Sequence, residues 1–492
     1  MFKSRQDVLS RAFFDDGACL MAVLMLSCRA AYRKHGGSDR QMNAIERNSV
    51  FSLAGIYGLR MLGLFLILPV FALYAEGLEG VTPTLIGLAL GAYGFTMAML
   101  QIPFGWLSDR IGRKPVITAG LLIFAVGSVV AAMADSIWGV ILGRTLQGAG
   151  AIAAAMMALL ADLTREEVRT KAMAVVGMTI GASFTLALMA GPLLGAWIGV
   201  DGIFWLTAVL ALLGIAVLYL FVPDPDHLSM HRDVEAMPGE FGRILGNVQL
   251  LRLDAGIMLL HAIMTAMFIG LPFVLRDHLD FPAIQHPWVY LPVLLVAVVF
   301  MIPLIIVAEK KGQMKQVFLL CIGLISAACM LLATWHDSII SVVAGLLLFF
   351  IAYNVLEATL PSLISRMAPI DAKGTAMGVY STSQFLGAFI GGVAGGWCYG
   401  LFDVQGIFLG CALVALLWLV LAYGMQMPVM RSAIMAHVDS DVNAEELEIK
   451  ILALAGVFEA RVVPEENAAF LRVDKKVYDP DALEVLLKAG EK

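Results

Sequence analysis

Long apolar runs separated by short polar loops fill the chain between Phe51 and Gly424. Twelve such runs can be drawn, at 51–75, 84–108, 115–134, 138–161, 172–198, 203–222, 252–275, 288–308, 317–334, 338–364, 375–398 and 405–424. Each is close to the roughly 20 apolar residues that a helix needs to cross a hydrocarbon core. The runs are continuously apolar and rich in Leu, Ala, Gly and Met, with no period-two alternation, which predicts helices rather than barrel strands. Composition agrees, since 60% of the 492 residues are hydrophobic, too many for a soluble core with an ordinary polar surface. The pattern predicts an all-α membrane protein of twelve transmembrane helices in two pseudo-symmetric six-helix bundles. The bundles are expected at 42–222 and 251–427, joined by a linker at 223–250 and followed by a small α+β domain at 428–492.

Residues 1–41 do not fit that scheme. Cys19 to Ala31 is apolar but too short to span, and Asp15 and Asp16 precede it. A signal peptide or a lipid anchor at Cys28 would place the first span against the loop charges. The expectation is a non-essential or misassigned extension, with translation starting naturally near Met42.

Charge orients the spans. Arg110, Arg113, Lys114, Arg165, Arg169, Lys171, Arg232, Arg243, Arg252, Lys310, Lys311, Lys315, Arg366 and Lys373 fall in loops on one side, whereas Arg276 stands alone on the other. By the positive-inside rule the basic side is cytoplasmic, which places both termini inside the cell. The net charge of −6 belongs mainly to the tail, because residues 430–492 hold thirteen acids against eight bases, a balance of −5. None of the six cysteines forms a CxxC or an evident extracellular pair, so neither disulfides nor a metal is expected.

The two halves echo each other. SDRIGRK from Ser108 is matched two hundred residues on by AEKKGQM from Ala308, so that Glu309 stands for Asp109 and Gly312 for Gly112. RTKAMAVVG from Arg169 is likewise matched by KGTAMGVYS from Lys373. Repetition of this kind points to a transporter whose halves rock about a shared axis.

GWLSDRIGRK, from Gly105 to Lys114, resembles the signature of the major facilitator superfamily between its second and third helices. Gly105, Leu107, Asp109, Arg110, Gly112, Arg113 and Lys114 match it. Arg144, Gln147, Gly148, Gly150 and Ala151 match a second motif of the fourth helix. The tail makes the chain similar to members of the drug:proton antiporter branch that carry a soluble C-terminal domain. The resemblance implies a proton-driven exporter of small amphipathic compounds and leaves the substrate open. A proton-coupled symporter, a uniporter of a metabolite and a transporter-like membrane sensor remain as alternatives.

Read as chemistry, the basic loop is a rigid corner. Gly105 and Gly112 permit close helix approach and a tight turn. Asp109 can accept hydrogen bonds from a helix N-terminus or a guanidinium and so latch the halves together, with Glu309 as its weaker counterpart. Arg110, Arg113 and Lys114 read equally well as topogenic charges.

Charges inside spans are few and costly, so each needs a cavity or a partner. Arg60 is expected to line the central cavity. Arg144, with Gln147, reads either as a helix-end bond to carbonyls or, as the resemblance implies, as part of proton movement. Glu357, set between Asn354 and Pro361 as the one carboxylate deep in a span, is the first candidate for the coupling proton. His261 is the second, because imidazole titrates near neutral pH. Gly191, Pro192 and Gly195 partly match the antiporter motif of drug exporters, although Ala187 and Ala196 stand where its glycines fall; helix packing explains the three as well.

In the tail, alternation predicts strands at 431–438, 456–464 and 468–474, and helical spacing predicts helices at 444–454 and 479–489. The order β-α-β-β-α predicts a ferredoxin-like domain, without the CxxC that metal carriage would need. Its acidity suggests docking on the basic loops. No nucleotide-binding glycine loop, zinc spacing or nucleophile elbow is present, so the chain is not expected to be an enzyme, to hold a cofactor or to bind nucleic acid. Its expected partners are the lipid bilayer, protons and a small-molecule substrate, and its expected state is a monomer.

Overall fold

The computed structural model describes residues 42–224, 236–426, 432–438, 444–463, 468–473 and parts of 477–487. The predicted extension at 1–41 lies outside the described residues, and the predicted helix at 479–489 lies partly outside them. The first half comprises α1 (Ala44–Phe65), α2 (Phe71–Ala75), α3 (Pro83–Ile111), α4 (Arg113–Ala132), α5 (Ile137–Ala149), α6 (Ala153–Asp162) and α7 (Glu166–Phe221). The second comprises α8 (Phe241–Leu245), α9 (Val248–Phe273), α10 (Pro287–Lys310), α11 (Met314–Thr334), α12 (Ile339–Met367) and α13 (Lys373–Tyr423).

Local chemistry sets several of these boundaries. α1 begins with a reciprocal cap, the Asn43 side chain accepting from the Glu46 N–H and the Glu46 carboxylate from the Asn43 N–H, each at 2.8 Å. Such caps stabilise a helix by about 1 kcal/mol. The predicted run 51–75 is not one helix, because α1 ends at Phe65 and turns cover 66–70 before α2. Pro69 lies in that turn, where its missing N–H cannot continue the ladder. The predicted span 138–161 is also divided, between α5 and α6. A Cβ on Gly148 would lie 2.1 Å from the Tyr93 carbonyl, and one on Gly150 would lie 2.3 Å from the Gly120 carbonyl. The chain there lies against the backbones of α3 and α4.

Among the described residues nine helical segments are long and apolar enough to cross a membrane. Two of them, Val168–Phe221 and Lys373–Tyr423, have 54 and 51 residues, about twice the length that one crossing requires. Each contains one non-helical residue, Gly199 (φ 73°) in α7 and Asp403 (φ 58°) in α13. Both breaks fall in the gaps between predicted runs. Glycine adopts that backbone freely; Asp403 does so at a cost of roughly 1–2 kcal/mol and spends its carboxylate on the Val404 N–H at 2.7 Å.

α3 and α13 form a seam between the halves. Cβ atoms added to Gly87, Gly392 and Gly396 would lie 2.0 to 2.4 Å from the carbonyls of Gly392, Gly87 and Pro83. Gly91 faces Phe389 in the same way. Backbone therefore meets backbone at the end of the molecule remote from the basic loop. After α13 comes a three-stranded antiparallel sheet in the order β1-β3-β2, formed by β1 (Ser432–His437), β2 (Val457–Val463) and β3 (Ala468–Val473). Leu447 and Ile451 of α14 (Ala444–Leu452) join the core of this sheet with Val462, Leu471 and Val473.

Candidate functional site

The basic corner is closed upon its own half. Arg113, almost fully buried, pairs with Asp109 and donates to Asp162 at the end of α6 at 3.0 Å, and to the Ser108 hydroxyl at 3.0 Å. Lys114 reaches the Val222 carbonyl at 2.7 Å and Asp224 at 2.9 Å. The Arg110 guanidinium lies 3.7 Å from the Trp106 ring centroid. Gly112 has φ 101° and ψ 151°, a conformation that side chains rarely tolerate. A Cβ on Gly105 would stand 3.0 Å from Ala154, so α3 and α6 approach closely there. In the second half Arg366 at the end of α12 donates to Glu309 at 2.7 Å. Both halves thus tie the loop after their second long helix to the helix that ends beside it, with the acid and the base exchanged.

Arg60 and Arg144 are each 1% exposed. The break between α5 and α6 leaves the Gly150 carbonyl outside a helical ladder, and Arg60 Nη2 donates to it at 3.0 Å. The guanidinium also lies 5.4 Å from the Phe124 ring centroid. Its Nε and Nη1 have no hydrogen-bond partner. Arg60 is therefore enclosed between helices of the first half rather than spread on an open cavity wall. Arg144 donates to the Ala89 and Leu90 carbonyls of α3 at 3.3 and 3.4 Å and to Gln147 at 2.8 Å. Gln147 donates to the Ser128 hydroxyl at 2.8 Å, and the Tyr93 ring lies beneath Arg144 at 4.9 Å. The arginine bonds carbonyls of the neighbouring helix rather than those of its own helix end.

Both candidates for the coupling proton meet in one cluster. The Gln384 amide of α13 donates to His261 Nε2 of α9 at 2.9 Å and to Glu357 Oε1 of α12 at 3.1 Å. His261 Nδ1 lies 3.3 Å from the Ile257 carbonyl, which makes it the donor and leaves Nε2 to accept. The Tyr353 hydroxyl is 3.4 Å from the same nitrogen, and Glu357 Oε2 is 3.9 Å from it. Oε2 itself is buried without a hydrogen-bond partner. Asn354 is half-buried one turn away from Glu357 on α12. Glu357 is more open than a carboxylate sealed in hydrocarbon, its side chain being 37% exposed.

Nor is Glu357 the one buried carboxylate. Asp254 in α9 is 4% exposed, and neither of its oxygens has a hydrogen-bond partner. It precedes His261 by seven residues, two turns along one helix face. Tyr380 precedes Gln384 by four, one turn away on α13, and is buried. Asp254 went unread in the sequence because it follows Arg252 at the edge of its apolar run, where an acid is ordinarily solvated.

At the end remote from the basic loop, Arg276 bridges the halves to Glu76, at 2.5 and 3.1 Å, and also pairs with Asp277 at 2.6 Å. Gly191 faces the Leu66 carbonyl, which a Cβ would approach to 2.4 Å, and Gly195 faces Val70. Together with the buried Pro192 they pack α7 against the turn that ends α1.

Among the described residues, the tail reaches the transmembrane body through two bases. Arg472 of β3 donates to the Ala368 carbonyl at 2.7 Å, and Arg461 of β2 lies 3.7 Å from Asp371. Arg243 holds the same carboxylate with two bonds of 2.9 Å. Burial pushes the Asp371 carboxyl up, but the Arg243 guanidinium outweighs it and holds the group below the ordinary carboxylate value. The contact has the opposite sign to the one expected from the net charge of the tail.

Two helical bundles with a sparse set of buried charges, sealed together at one end, define a membrane transporter. The chain belongs to the Major Facilitator Superfamily, whose family model matches residues 53–392 and 315–434. It is 47% identical over 441 residues to the inner membrane transport protein YajR of Escherichia coli (strain K12), covering 89% of this chain and 97% of YajR. It is 34% identical over 352 residues to the uncharacterized transporter BU466 of Buchnera aphidicola subsp. Acyrthosiphon pisum, covering 71% and 90% of the two chains. Among solved structures, a bacterial homologue of the human lysosomal transporter Spinster superposes with a TM-score of 0.64 at 13% identity, over 78% of this chain and 97% of the other. That likeness is one of fold.

Proposed function

We propose that the protein is a proton-coupled exporter of small amphipathic compounds, an antiporter of the bacterial inner membrane that works by alternating access. Dividing α7 at Gly199 and α13 at Asp403 turns nine spans into eleven, and α1 makes twelve. In this reading both termini are cytoplasmic, the protein acts as a monomer, and the β1-β3-β2 sheet with α14 is the larger part of a ferredoxin-like domain. The seam of α3 and α13 and the Arg276–Glu76 pair then close the outer side. Asp109 and Glu309 are each engaged within their own half, which fits an inward-facing state with its cytoplasmic latch released.

The observation that carries the reading is the bridge His261–Gln384–Glu357. A single amide offers one hydrogen to an imidazole nitrogen and the other to a carboxylate oxygen, so it can remain only while Nε2 accepts. A proton arriving at His261 breaks the amide contact and turns the imidazole toward Glu357. A proton arriving at Glu357 Oε2 neutralises the acid and weakens the amide's bond to Oε1, which then accepts as an uncharged carbonyl. Either event changes how α9, α12 and α13 hold together, as coupling requires. Buried without partners, Asp254 is costly as an anion, and its position on the cytoplasmic side of His261 suits a second station for the proton. Arg60 and Arg144 place fixed positive charge within the opposite half, and their field favours an anion between the halves.

The test is reconstitution into vesicles containing a pH-sensitive dye, followed by addition of candidate amphipathic compounds. Substrate-driven proton movement is expected in the parent protein and at least a tenfold loss in Glu357→Gln. Full proton flux in that variant would remove Glu357 from the coupling role; the absence of any substrate-driven flux in the parent would remove antiport.

A further inference from the structure

We propose that His278, His336 and Asp337 form a binding site for a divalent transition-metal ion of the zinc, nickel or copper type. His278 closes the helical segment that continues α9, and His336 and Asp337 occupy the turn between α11 and α12. One ligand atom from each of the three lies within 4.8 Å of the others. His278 Nδ1 is 2.8 Å and His336 Nε2 is 3.8 Å from Asp337 Oδ1. Ligands about 2.0–2.1 Å from a tetrahedral ion stand about 3.3–3.5 Å apart, so small side-chain rotations admit the ion.

Two further features separate this group from a chance meeting of polar side chains. The other nitrogen of His336, Nδ1, lies 3.1 Å from the Leu332 carbonyl. That bond places the proton on Nδ1 and turns the Nε2 lone pair toward the cluster, the carbonyl support that metal-binding histidines ordinarily have. The two imidazoles already stand edge to face, with ring centroids 4.6 Å apart, so both rings are close enough to share one ion. Two nitrogen donors and one carboxylate select borderline metals over calcium and magnesium, which take oxygen. The Asp337 side chain is 77% exposed, which leaves a face open for entry of the ion and for water as the fourth ligand.

The site has a structural consequence. Arg276, two residues before His278, makes the ion pair to Glu76 that joins the halves. A bound ion would fix the end of α9 to the α11–α12 turn and steady the helix end that carries this pair.

Isothermal titration of the full chain, purified in detergent through a histidine-free tag, tests the proposal with zinc and nickel chloride. Saturable binding of one ion per chain is expected, together with a rise in melting temperature, since a ligand that binds only the folded state stabilises it. His278→Ala with His336→Ala should weaken binding at least tenfold, and Asp337→Asn should weaken it less. All three positions are loop or helix-end sites, with His278 and Asp337 exposed and His336 half-buried, so melting of metal-free His278→Ala and Asp337→Asn should match the parent. Unchanged affinity in the double variant, or equal affinity for magnesium, would overturn the assignment.

Discussion

Gln384 shows how one side chain can tie together groups from two other helices. It touches an imidazole on one helix and a carboxylate on another, and no second residue among the described ones holds both. Gln384→Leu keeps the volume but leaves His261 and Glu357 to pair directly or separate. Its transport rate is expected to fall severalfold and, more tellingly, the profile of rate against an imposed proton gradient to flatten, because no side chain would then hold the two groups together. A parent-like profile would exclude the amide from coupling. His261 and Glu357 were both legible in the sequence, since ionisable groups within apolar runs are rare enough to identify by inspection. Their meeting was not legible, because it depends on the rotation of three helices about their axes. Arg144 is a similar case. Its motif identified the residue, but the carbonyls it bonds belong to α3, and nothing in the text of α5 indicates that α3 crosses there.

At the scale of elements, the apolar runs located most of the helices and also the two non-helical breaks, because Gly199 and Asp403 fall between runs. They missed the division of α5 from α6, which leaves hydropathy unchanged and arises from close backbone packing at Gly148 and Gly150. The tail strands followed their alternation to within about two residues. The Gly87–Gly392 contact supports a prediction about gating. Gly392→Leu would drive a side chain into the Gly87 carbonyl, 2.4 Å from the first added carbon, and should part α3 from α13. A cysteine placed near Gly87 is expected to react with a membrane-impermeant thiol reagent at least tenfold faster in that variant. Asp109→Asn tests the other end. If Asp109 latches the outward-facing state, the same reporter should become less reactive, and an unchanged rate would reduce the loop to a marker of orientation.

For the whole molecule, the unexpected relation is between body and tail. Summed charge suggested an acidic domain attracted to basic loops, yet the contact places Arg461 and Arg472 beside Asp371 and the Ala368 carbonyl. Net charge describes long-range attraction, whereas contact is decided by the few groups that face each other. Because the Asp371 carboxyl lies below its ordinary value, its contribution is complete above about pH 4 and is lost only as pH falls through that lowered value. Cross-linking between the tail and the α12–α13 loop should therefore be constant from pH 5 to 8 and fall severalfold in Asp371→Asn. A sharp loss near pH 6 would assign the contact to other groups. His278, His336 and Asp337 mark a similar limit, since 58 residues separate the two histidines and only the packing of α9 against its neighbours brings them together.

The seam of bare backbone between α3 and α13 has one more consequence. Closing a gate with long side chains freezes their rotamers, at a cost of up to about 2 kcal/mol each. Glycine has none to freeze. A closure made this way sacrifices little disorder when it forms and releases little when it parts, so the open and closed forms can remain close in free energy. Under the proposed alternating access, that near-balance matters more than the strength of the seal.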